Sequence, residues 1–343
     1  MSLHNQAGLK EALYWSKGKN NSAECHLCPI HCRVKEGKVG VCRVKKNIGG
    51  KLYATGYGLT TSLSVDPIEK KPLYHFYPGT SILSIGPNAC NLKCSFCQNF
   101  HVSQENASVS YLSPERPAEI AAETPNCIGV AYTYSEPLMW FEYLLDTVGH
   151  VRNAGLKNVL VTNGHLEEEP FNEILPHIDA MNIDIKSMED SFYKKTCKGS
   201  LKPVLKNVEN AVGKTHVEIT NLVIPGLNDS DQSFEQLSAF LADIDPDIPL
   251  HFSRYHPAYK MERPATPVET LLRAREVARK RLKHVYVGNV PLPGDNDTVC
   301  PSCSERVIER DYMGIRFGAV GHESIKIKDG KCLQCGGIVN IVS

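Results

Sequence analysis

The segment Cys90-Asn91-Leu92-Lys93-Cys94-Ser95-Phe96-Cys97-Gln98-Asn99 carries three cysteines in a C-x3-C-x2-C spacing. A cuboidal four-iron cluster normally takes four cysteines, and no fourth lies close by in the sequence. Such a cluster would therefore keep one iron free to bind a small molecule. Zinc favours paired C-x2-C units, so a zinc knuckle or a set of buried thiols is the less favoured alternative.

The chain around these cysteines predicts a parallel sheet. Apolar or β-branched runs that indicate strands occupy 81–86, 127–133, 157–162, 179–186, 216–224, 249–254 and 284–288. Helical patterns lie between them, at 115–123, 137–153, 167–175, 202–213, 231–243 and 267–281. This alternation is typical of βα units. Six or seven strands are fewer than the eight of a closed barrel, so we predict an α/β fold of the partial TIM-type (β/α)6 barrel class; a doubly wound open sheet is the alternative.

Polar residues lie at the ends of several predicted strands. They are Tyr134, Ser135 and Glu136 after the second strand, Thr162 and Asn163 at the end of the third, Asn182, Asp184 and Lys186 on the fourth, and Arg254 and His256 at the end of the sixth. The three on the fourth strand alternate, so they share one face. A polar face inside a barrel is costly unless it meets a ligand or an ion. We therefore predict a site at the carboxyl ends of the strands, beside the cysteine loop.

The cysteine loop, with the aromatic Phe96 before its last cysteine, resembles the cluster loop of the radical S-adenosylmethionine (SAM) enzymes. The resemblance implies that Cys90, Cys94 and Cys97 hold a [4Fe-4S] cluster whose open iron binds the amino and carboxylate groups of SAM. It also implies reductive cleavage of SAM to methionine and a 5′-deoxyadenosyl radical, which abstracts hydrogen from an unidentified substrate. The cofactor carries this chemistry, while the protein positions it and excludes competing reactions.

The strand ends resemble the SAM-contacting segments of the glycyl-radical activases, the branch that includes pyruvate formate-lyase activating enzyme. Glu136 matches a residue that holds the methionine amino group, although Tyr134 and Ser135 replace two glycines of the family pattern. The resemblance also assigns SAM contacts to Thr162, Asn163, Asp184, Lys186 and His256. Val161 replaces an aspartate that helps hold a monovalent cation in the activases, so one ligand of that ion is missing here.

Motifs along most of the chain are similar to those of the radical SAM enzyme of the AmmeMemoRadiSam system. They are Cys25-x2-Cys28-Pro29-x2-Cys32, Lys70-Lys71-Pro72-Leu73, the cluster loop, Tyr134-Ser135-Glu136-Pro137 and Val287-Gly288-Asn289-Val290-Pro291. The family name implies association with two companion protein families and no settled reaction. Radical SAM chemistry also implies a reductant, such as ferredoxin or flavodoxin, as a partner.

Two further groups of cysteines flank the predicted barrel, which spans residues 80–290. An N-terminal Cys-rich module and lead-in, residues 1–79, holds Cys25, Cys28, Cys32 and Cys42, a closed set that fits either zinc or a second iron–sulfur cluster. A C-terminal module, residues 291–343, holds the paired knuckles Cys300, Cys303, Cys332 and Cys335. These knuckles predict a zinc ribbon, with a rubredoxin-like iron centre as the alternative. Pro291, Pro293 and Gly294 mark the linker between barrel and knuckles.

Composition limits the classes of function. The 38 basic and 38 acidic residues balance, so charge does not indicate a nucleic-acid partner or an anionic membrane. Met1 to Lys10 lacks the apolar core of a signal peptide, and no apolar run approaches the ~20 residues that cross a bilayer. We predict a cytoplasmic protein, and its 13 cysteines suggest an anaerobic host.

Alternatives to the leading function stay open at this point. Within the same chemistry, the chain is either a glycyl-radical activase that acts on a partner protein or an enzyme that acts on a small molecule. In a different class, it is a non-catalytic electron-transfer or zinc scaffold protein, which explains the flanking modules but not the polar strand ends. Of the remaining thiols, Cys127 is predicted to be an inert core residue and Cys197 a surface thiol without a role.

Overall fold

The structure, a computed structural model, describes residues 9–290, 296–310 and 325–343. Short strands come first: β1 (Trp15–Lys17), β2 (Ala23–Cys25), β3 (Arg33–Val34), β4 (Lys45–Ile48) and β5 (Lys51–Ala54). The strands of a central sheet follow: β6 (Leu59–Pro67), β7 (Ser81–Pro87), β8 (Ser110–Tyr111), β9 (Cys127–Tyr132), β10 (Lys157–Thr162), β11 (Ala180–Asp184), β12 (His216–Val223), β13 (Leu250–Arg254) and β14 (Val285–Gly288). Short strands also lie in the last part of the chain: β15 (Thr298–Val299), β16 (Arg306–Ile308), β17 (Ile327–Lys328) and β18 (Lys331–Cys332).

The central sheet has the strand order β14-β13-β12-β11-β10-β9-β7-β6-β8. The seven strands from β14 to β7 are parallel, and β6 and β8 extend the β7 edge with antiparallel pairing. These seven parallel strands are the seven that the sequence predicts, with bounds that differ by no more than two residues. The prediction of an α/β fold with a parallel-rich sheet is therefore confirmed.

Helices connect the strands of the sheet. They are α1 (Phe100–Ser103), α2 (Arg116–Glu123), α3 (Phe141–Asn153), α4 (Glu168–Ile174), α5 (Asp190–Phe192), α6 (Lys202–Ala211), α7 (Asp231–Ile244) and α8 (Val268–Ala278). Short 3-10 turns occupy Ile68–Lys70, Pro137–Trp140 and Leu175–His177, and a π-helical turn occupies Tyr193–Cys197. All six predicted helices are present, whereas α1 and α5 were not predicted. Within the described ranges, no helix combines the length and the apolarity that a membrane crossing needs.

The parallel strands are apolar because both of their faces are covered. Leu160 of β10 packs in a large apolar cluster that includes the helices, whereas its neighbour Val159 packs in a second cluster on the opposite face. That second cluster contains Ile68, Leu73 and Phe76 from the segment before β7. Alternate residues of one strand thus pack in two different apolar clusters. This explains why the strands of the parallel sheet are near-continuous hydrophobic runs in the sequence.

Gly86, near the end of β7, allows two strand ends to approach closely. A Cβ atom at this position would lie 2.2 Å from the carbonyl oxygen of Thr133, which follows β9. Any side chain would push the ends of β7 and β9 apart. The glycine therefore brings the cluster loop, which follows β7, beside Tyr134, Ser135 and Glu136.

The segment before the central sheet docks on α3 through a buried ion pair. Lys45 of β4 and Glu142 of α3 are both buried, and the ammonium group of Lys45 donates to the Glu142 carboxylate. The other carboxylate oxygen of Glu142 accepts the backbone N–H of Leu13 at 2.8 Å. β6, which begins within the predicted N-terminal module and lead-in, then pairs with β7 in the central sheet.

We expect Glu142→Gln to lower the free energy of unfolding by about 2 kcal/mol, because it leaves the buried ammonium of Lys45 without a charged partner. Anaerobic equilibrium denaturation of the metal-loaded protein measures the change. The matched control is Glu119→Gln, which removes an exposed ion pair with Arg116 and should change stability much less. Equal effects of the two substitutions would contradict a role of the buried pair in docking the N-terminal segment.

The last part of the chain docks at Tyr74 and His75. Their backbone N–H groups donate to the buried carboxylate of Glu218, a residue of β12. Arg310 donates to the backbone carbonyl of Tyr74 at 2.7 Å. The N–H of Val342 donates to the backbone carbonyl of His75 at 2.8 Å. These bonds hold both described C-terminal segments against the sheet. Most of the predicted linker, residues 291–295, lies outside the described residues.

Candidate active site

A cavity of about 430 Å³ lies at the carboxyl ends of the parallel strands. Pockets of about 300–1,000 Å³ enclose small ligands and cofactors. The cavity is lined by nine of the residues that the sequence assigns to the cluster and to SAM: Cys90, Cys94, Phe96, Cys97, Glu136, Thr162, Asn163, Asp184 and Lys186. The topology thus gathers residues from four separate strand ends, which lie as much as 96 positions apart in sequence, around one space.

The three cysteines of the cluster loop face this cavity. Ser103 Oγ lies 3.1 Å from Cys97 Sγ, and Asn163 Nδ2 lies 3.8 Å from Cys90 Sγ. Burial raises the pKa values of the Cys90 and Cys97 thiols, so a bound metal is needed to hold them as thiolates.

The spacing of these sulfurs distinguishes a cluster from a single ion. Within the described ranges, the cysteines whose sulfurs all lie within 4.8 Å of one another are those of the C-terminal knuckles. The sulfurs of Cys90, Cys94 and Cys97 are spread more widely. Each thiolate of an iron–sulfur cube binds a different iron, so the wider spacing fits a cluster.

Glu136 is a buried carboxylate at the cavity wall. Its Oε1 accepts hydrogen bonds from Leu138 N at 3.1 Å and Thr162 Oγ1 at 2.7 Å, and its Oε2 accepts one from Asn163 N at 2.8 Å. Burial raises the pKa of Glu136 to about 7, although the hydrogen bonds from Asn163 and Thr162 lower it. The carboxylate therefore ties β9 to β10 and changes its charge near neutral pH.

Asp184 and Lys186 also line the cavity. Lys186 Nζ lies 2.8 Å from Asp184 Oδ2 and 5.9 Å from the ring centroid of Phe96. The neighbouring Thr220 also lines the cavity, and its buried hydroxyl has no hydrogen-bond partner in the described part of the chain. An unpaired hydroxyl at a cavity wall is costly unless a ligand satisfies it. Periodicity places Thr220 inside a strand, but no sequence signal distinguishes it as a ligand.

Asp66, Lys71 and Tyr134 form a polar group at the cavity that the sequence did not reveal. The Asp66 carboxylate accepts hydrogen bonds from Lys70 Nζ at 2.7 Å, Lys71 Nζ at 2.7 Å and Tyr134 Oη at 2.5 Å. Burial raises the pKa of Asp66, but these three bonds outweigh it and hold the pKa well below its usual range. Burial also lowers the pKa of Lys71 to about 8, against the pairing with Asp66.

Two histidines that lie near site residues in the sequence are located apart from this cavity. His256 follows β13, is exposed, and is absent from the described lining of the cavity. His101 lies on α1, is also exposed, and pairs with Glu105 at 3.5 Å. The structure therefore brings nine of the ten predicted cluster and SAM residues together and leaves His256 outside.

The interpretation of Cys197 as a surface thiol is wrong. Cys197 is completely buried, and its backbone carbonyl accepts the N–H of Lys93 in the cluster loop at 2.7 Å. Hydrogen bonding to the Cys197 thiol, together with burial, raises the pKa of Cys94. The Cys197 thiol is thus a neighbour of Cys94, and we expect its S–H to donate to Cys94 when that residue is a metal-bound thiolate. Sequence distance concealed this contact, because Cys197 lies on the π-helical turn that follows α5.

We expect Cys197→Ala to make the midpoint potential of the cavity cluster more negative, because hydrogen bonds to ligand sulfurs favour the reduced cluster. Iron and sulfide contents should stay at the wild-type values, since Cys197 is not among the cavity-lining residues. An electron paramagnetic resonance (EPR) titration measures the potential. Cys127→Ala, which removes a thiol distant from the cluster loop, serves as the control. Loss of iron in Cys197→Ala would instead identify Cys197 as a ligand.

The C-terminal cysteines form a compact group. Cys300 Sγ and Cys335 Sγ lie 3.7 Å apart, and Cys303 Sγ and Cys332 Sγ lie 3.8 Å apart. Four sulfurs at about 2.3 Å from a tetrahedral ion lie about 3.8 Å from one another. The group therefore has the spacing of a site for one metal ion.

Comparison with known proteins identifies the family. The family model of the radical SAM superfamily matches residues 84–241, which include the cluster loop and the strand ends from β7 to β12. An uncharacterized protein of Methanocaldococcus jannaschii is 42% identical over 342 residues, which cover 97% of this chain and 100% of that protein. The chain belongs to the radical SAM superfamily. Membership implies a [4Fe-4S] cluster and SAM, which fit the three widely spaced thiols and the polar cavity.

Radical SAM enzymes are also among the other relatives. The pyruvate formate-lyase-activating enzyme of Clostridium pasteurianum is 28% identical over 174 residues, which cover 49% of this chain and 72% of that enzyme. The crystal structure of Streptococcus suis SuiB bound to precursor peptide SuiA shares the fold, with a TM-score of 0.50 at 16% identity, over 65% of this chain and 51% of SuiB. The radical SAM domain and its enzyme relatives support an enzyme and not the scaffold alternative. They do not identify the substrate.

Proposed function

We propose that this cavity holds both the [4Fe-4S] cluster and SAM, and that the enzyme uses them to abstract hydrogen from its substrate. The observation that carries the proposal is the convergence of three thiols, a buried carboxylate and an ion pair in one cavity. When bound, the cluster and SAM together supply an electron and a 5′-deoxyadenosyl radical. The residues of the chain hold these groups, orient them and exclude water.

Each group in the cavity has a role in this proposal. Cys90, Cys94 and Cys97 bind the cluster. Oε2 of Glu136 receives one hydrogen bond from the described residues, so it keeps acceptor capacity for the amino group of SAM. Thr162 and Asn163 hold that carboxylate in place.

Other residues that line the cavity offer contacts to the rest of SAM. Lys186 and Asp184 present one cation and one anion for its polar groups, and Phe96 provides an apolar surface beside them. The unpaired hydroxyl of Thr220 gains a partner when SAM binds. We leave His256 out of this set because its side chain is exposed.

Anaerobic reconstitution followed by dithionite and SAM tests the proposal. We expect 5′-deoxyadenosine, detected by mass spectrometry, and a change in the EPR signal of the reduced cluster when SAM is added. No product at full cluster occupancy would contradict the proposal. Repeating the reaction with labelled SAM and cell extract, separated into large and small molecules, identifies the fraction that holds the substrate.

A second candidate is abstraction of hydrogen from a glycine of a partner protein. It is favoured by the similarity to activating enzymes, among them the 4-hydroxyphenylacetate decarboxylase activating enzyme of Clostridium scatologenes, which is 29% identical over 117 residues. The fractionated extract distinguishes the two candidates. An activase increases SAM turnover with the macromolecular fraction and leaves a glycyl radical signal on a protein, whereas small-molecule chemistry follows the low-mass fraction.

We also infer the finer organisation that the motifs indicate. Residues 80–290 form a partial (β/α)6 barrel between an N-terminal module, residues 1–79, and a C-terminal module, residues 291–343. Zinc, or a single iron, occupies the C-terminal knuckles.

Ferredoxin or flavodoxin reduces the enzyme in the cytoplasm, and companion proteins of the AmmeMemoRadiSam system act with it. Co-purification with those companions and metal analysis of the isolated chain test these assignments.

A further inference from the structure

The four N-terminal cysteines surround one enclosed pocket. Cys25, Cys28, Cys32 and Cys42 all line it, and Cys25, Cys28 and Cys42 are buried. The pocket is otherwise lined mainly by apolar side chains, together with Lys45 and with Asn91 of the cluster loop. All four thiols are free of disulfide bonds. Four converging thiols in an apolar pocket are a ligand set that nothing in the cavity chemistry uses.

A backbone N–H of the N-terminal module donates to one of these sulfurs. Val41 N donates to Cys32 Sγ at 3.4 Å. A donor of this kind stabilises negative charge on a metal-bound sulfur.

The distances between the sulfurs distinguish a single ion from a cluster. The C-terminal knuckles have their sulfurs at 3.7 and 3.8 Å in pairs, as one tetrahedral ion requires. The N-terminal cysteines all belong to the described residues, yet no three of them meet the spacing of 4.8 Å that the knuckles meet. The cavity cysteines also fall outside that spacing, as expected of thiolates that each bind a different iron of a cube.

We propose that Cys25, Cys28, Cys32 and Cys42 bind a second iron–sulfur cluster, of the four-iron type, which passes electrons to the cluster in the cavity. The electron-transfer step rests on the function proposed above, whereas the presence of the cluster does not. In each transfer the second cluster is oxidised by one electron and the cavity cluster is reduced by one. A one-electron carrier of the ferredoxin or flavodoxin class then restores the second cluster.

The two cysteine sets are separated by very few residues. Asn91 lines the N-terminal pocket, and its Oδ1 accepts a hydrogen bond at 3.0 Å from Asn163 Nδ2, which also reaches Cys90 Sγ. Arg43, next to Cys42, donates to the backbone carbonyl of Ser103, whose hydroxyl contacts Cys97 Sγ. Asn163 and Ser103, which contact cysteines of the cavity, are thus hydrogen-bonded to Asn91 and Arg43, which lie at the N-terminal cysteines. This proximity suits electron transfer between two clusters.

The charges around the pocket also fit a cluster. Four thiolates give an iron–sulfur cube a net negative charge, which is costly to bury without nearby cations. Arg43 follows Cys42 directly in the chain, and Lys45, which also pairs with Glu142, lines the pocket. The N–H of Val41 supplies further positive partial charge at Cys32 Sγ.

The test uses full-length protein in which Cys90, Cys94 and Cys97 are all replaced by Ala, reconstituted anaerobically beside the wild type. We expect about eight iron atoms and eight acid-labile sulfides in the wild type, and about four of each in the triple variant. The EPR signal of the reduced triple variant should not respond to SAM. A single iron bound by the C-terminal knuckles would add to the iron content but not to the sulfide content. The sulfide content therefore decides how many clusters are present.

The reverse variant keeps the inference falsifiable if the triple variant fails to fold. The double variant Cys28→Ala/Cys32→Ala, which leaves two thiols for a cluster that needs at least three, should keep about four sulfides and a signal that responds to SAM, while reduction of its cavity cluster by photoreduced flavodoxin slows at least about tenfold. Wild-type protein with only about four sulfides, or zinc that is lost in the double variant, would overturn the proposal. A wild type with about eight sulfides and no response to SAM would instead contradict the function of the cavity.

Discussion

Cys94→Ala is expected to abolish the formation of 5′-deoxyadenosine from SAM, a loss of at least about 10³-fold. Cys94 is buried and lines the cavity, and its removal leaves two thiols for a cluster that needs three. Without the cavity cluster, SAM has no metal site through which to receive the electron. Mass spectrometry of single-turnover reactions, at matched protein concentration, measures the product.

Cys127→Ala is the matched control for this substitution. Cys127 begins β9, at the opposite end of that strand from the cavity, and its Sγ donates to Gly129 O at 3.4 Å. Its loss should leave product formation unchanged. Because Cys197 adjoins Cys94, the double variant Cys94→Ala/Cys197→Ala tests whether Cys197 replaces the missing ligand. Undiminished product formation in both Cys94 variants would exclude the cysteine loop as the cluster site.

The elements of the sheet could be predicted because each leaves a local pattern. Val159 and Leu160 are adjacent in β10 and face different cores, so both are apolar, as expected of a strand that is covered on both faces. The C-x3-C-x2-C spacing is equally local, and parallel strands place their carboxyl ends at one edge. Those two facts together suffice to bring Cys90, Glu136 and Asp184 to one cavity.

Contacts between distant segments could not be predicted in this way. Asp66 reads as a turn residue before Pro67, and only the pairing of β6 with β7 brings it to Tyr134. Cys197 lies 103 positions after Cys94 and has three lysines nearby in sequence, which suggested exposure. Periodicity within one element carries no information about such pairings. The position of His256, exposed and outside the described lining of the cavity, could not be predicted either, since a motif match alone does not show where a side chain points.

Tyr134 replaces a glycine of the family pattern, and its backbone and side-chain contacts show how the chain accommodates a tyrosine there. This residue has φ +71°, the left-handed region that glycine adopts easily and that a tyrosine rarely adopts. Its backbone carbonyl accepts from Asn99 Nδ2 at 2.8 Å, and its hydroxyl is held by Asp66. These two bonds hold Tyr134 in a backbone conformation that glycine adopts easily. The Tyr134 side chain lines the cavity.

Glu136→Gln is expected to weaken SAM binding by about 10-fold to 100-fold at pH 8, because a hydrogen bond to a charged acceptor contributes about 1.5–3 kcal/mol. The amide keeps the volume of the side chain and one carbonyl oxygen for Thr162 and Leu138. In the variant an NH2 group takes the place of Oε2, the oxygen that has free acceptor capacity. That NH2 group then faces the N–H of Asn163, so that two donors oppose each other. Equilibrium dialysis of SAM against the reconstituted, oxidised protein measures Kd, and Glu119→Gln on the exposed face of α2 is the control.

The pH dependence of this difference identifies the carboxylate as the cause. Burial raises the pKa of Glu136 to about 7, so the group is charged at pH 8 and protonated at pH 6. The wild type should therefore lose affinity as pH falls through 7, by up to about tenfold per unit, while the Gln variant has no such group to titrate. Protonation of SAM itself affects both proteins equally and cancels in the ratio of their Kd values. The ratio of the two Kd values should approach one at pH 6, because a protonated Glu136 resembles glutamine. A ratio that stays constant from pH 8 to pH 6 would show that Glu136 acts only by holding β9 against β10.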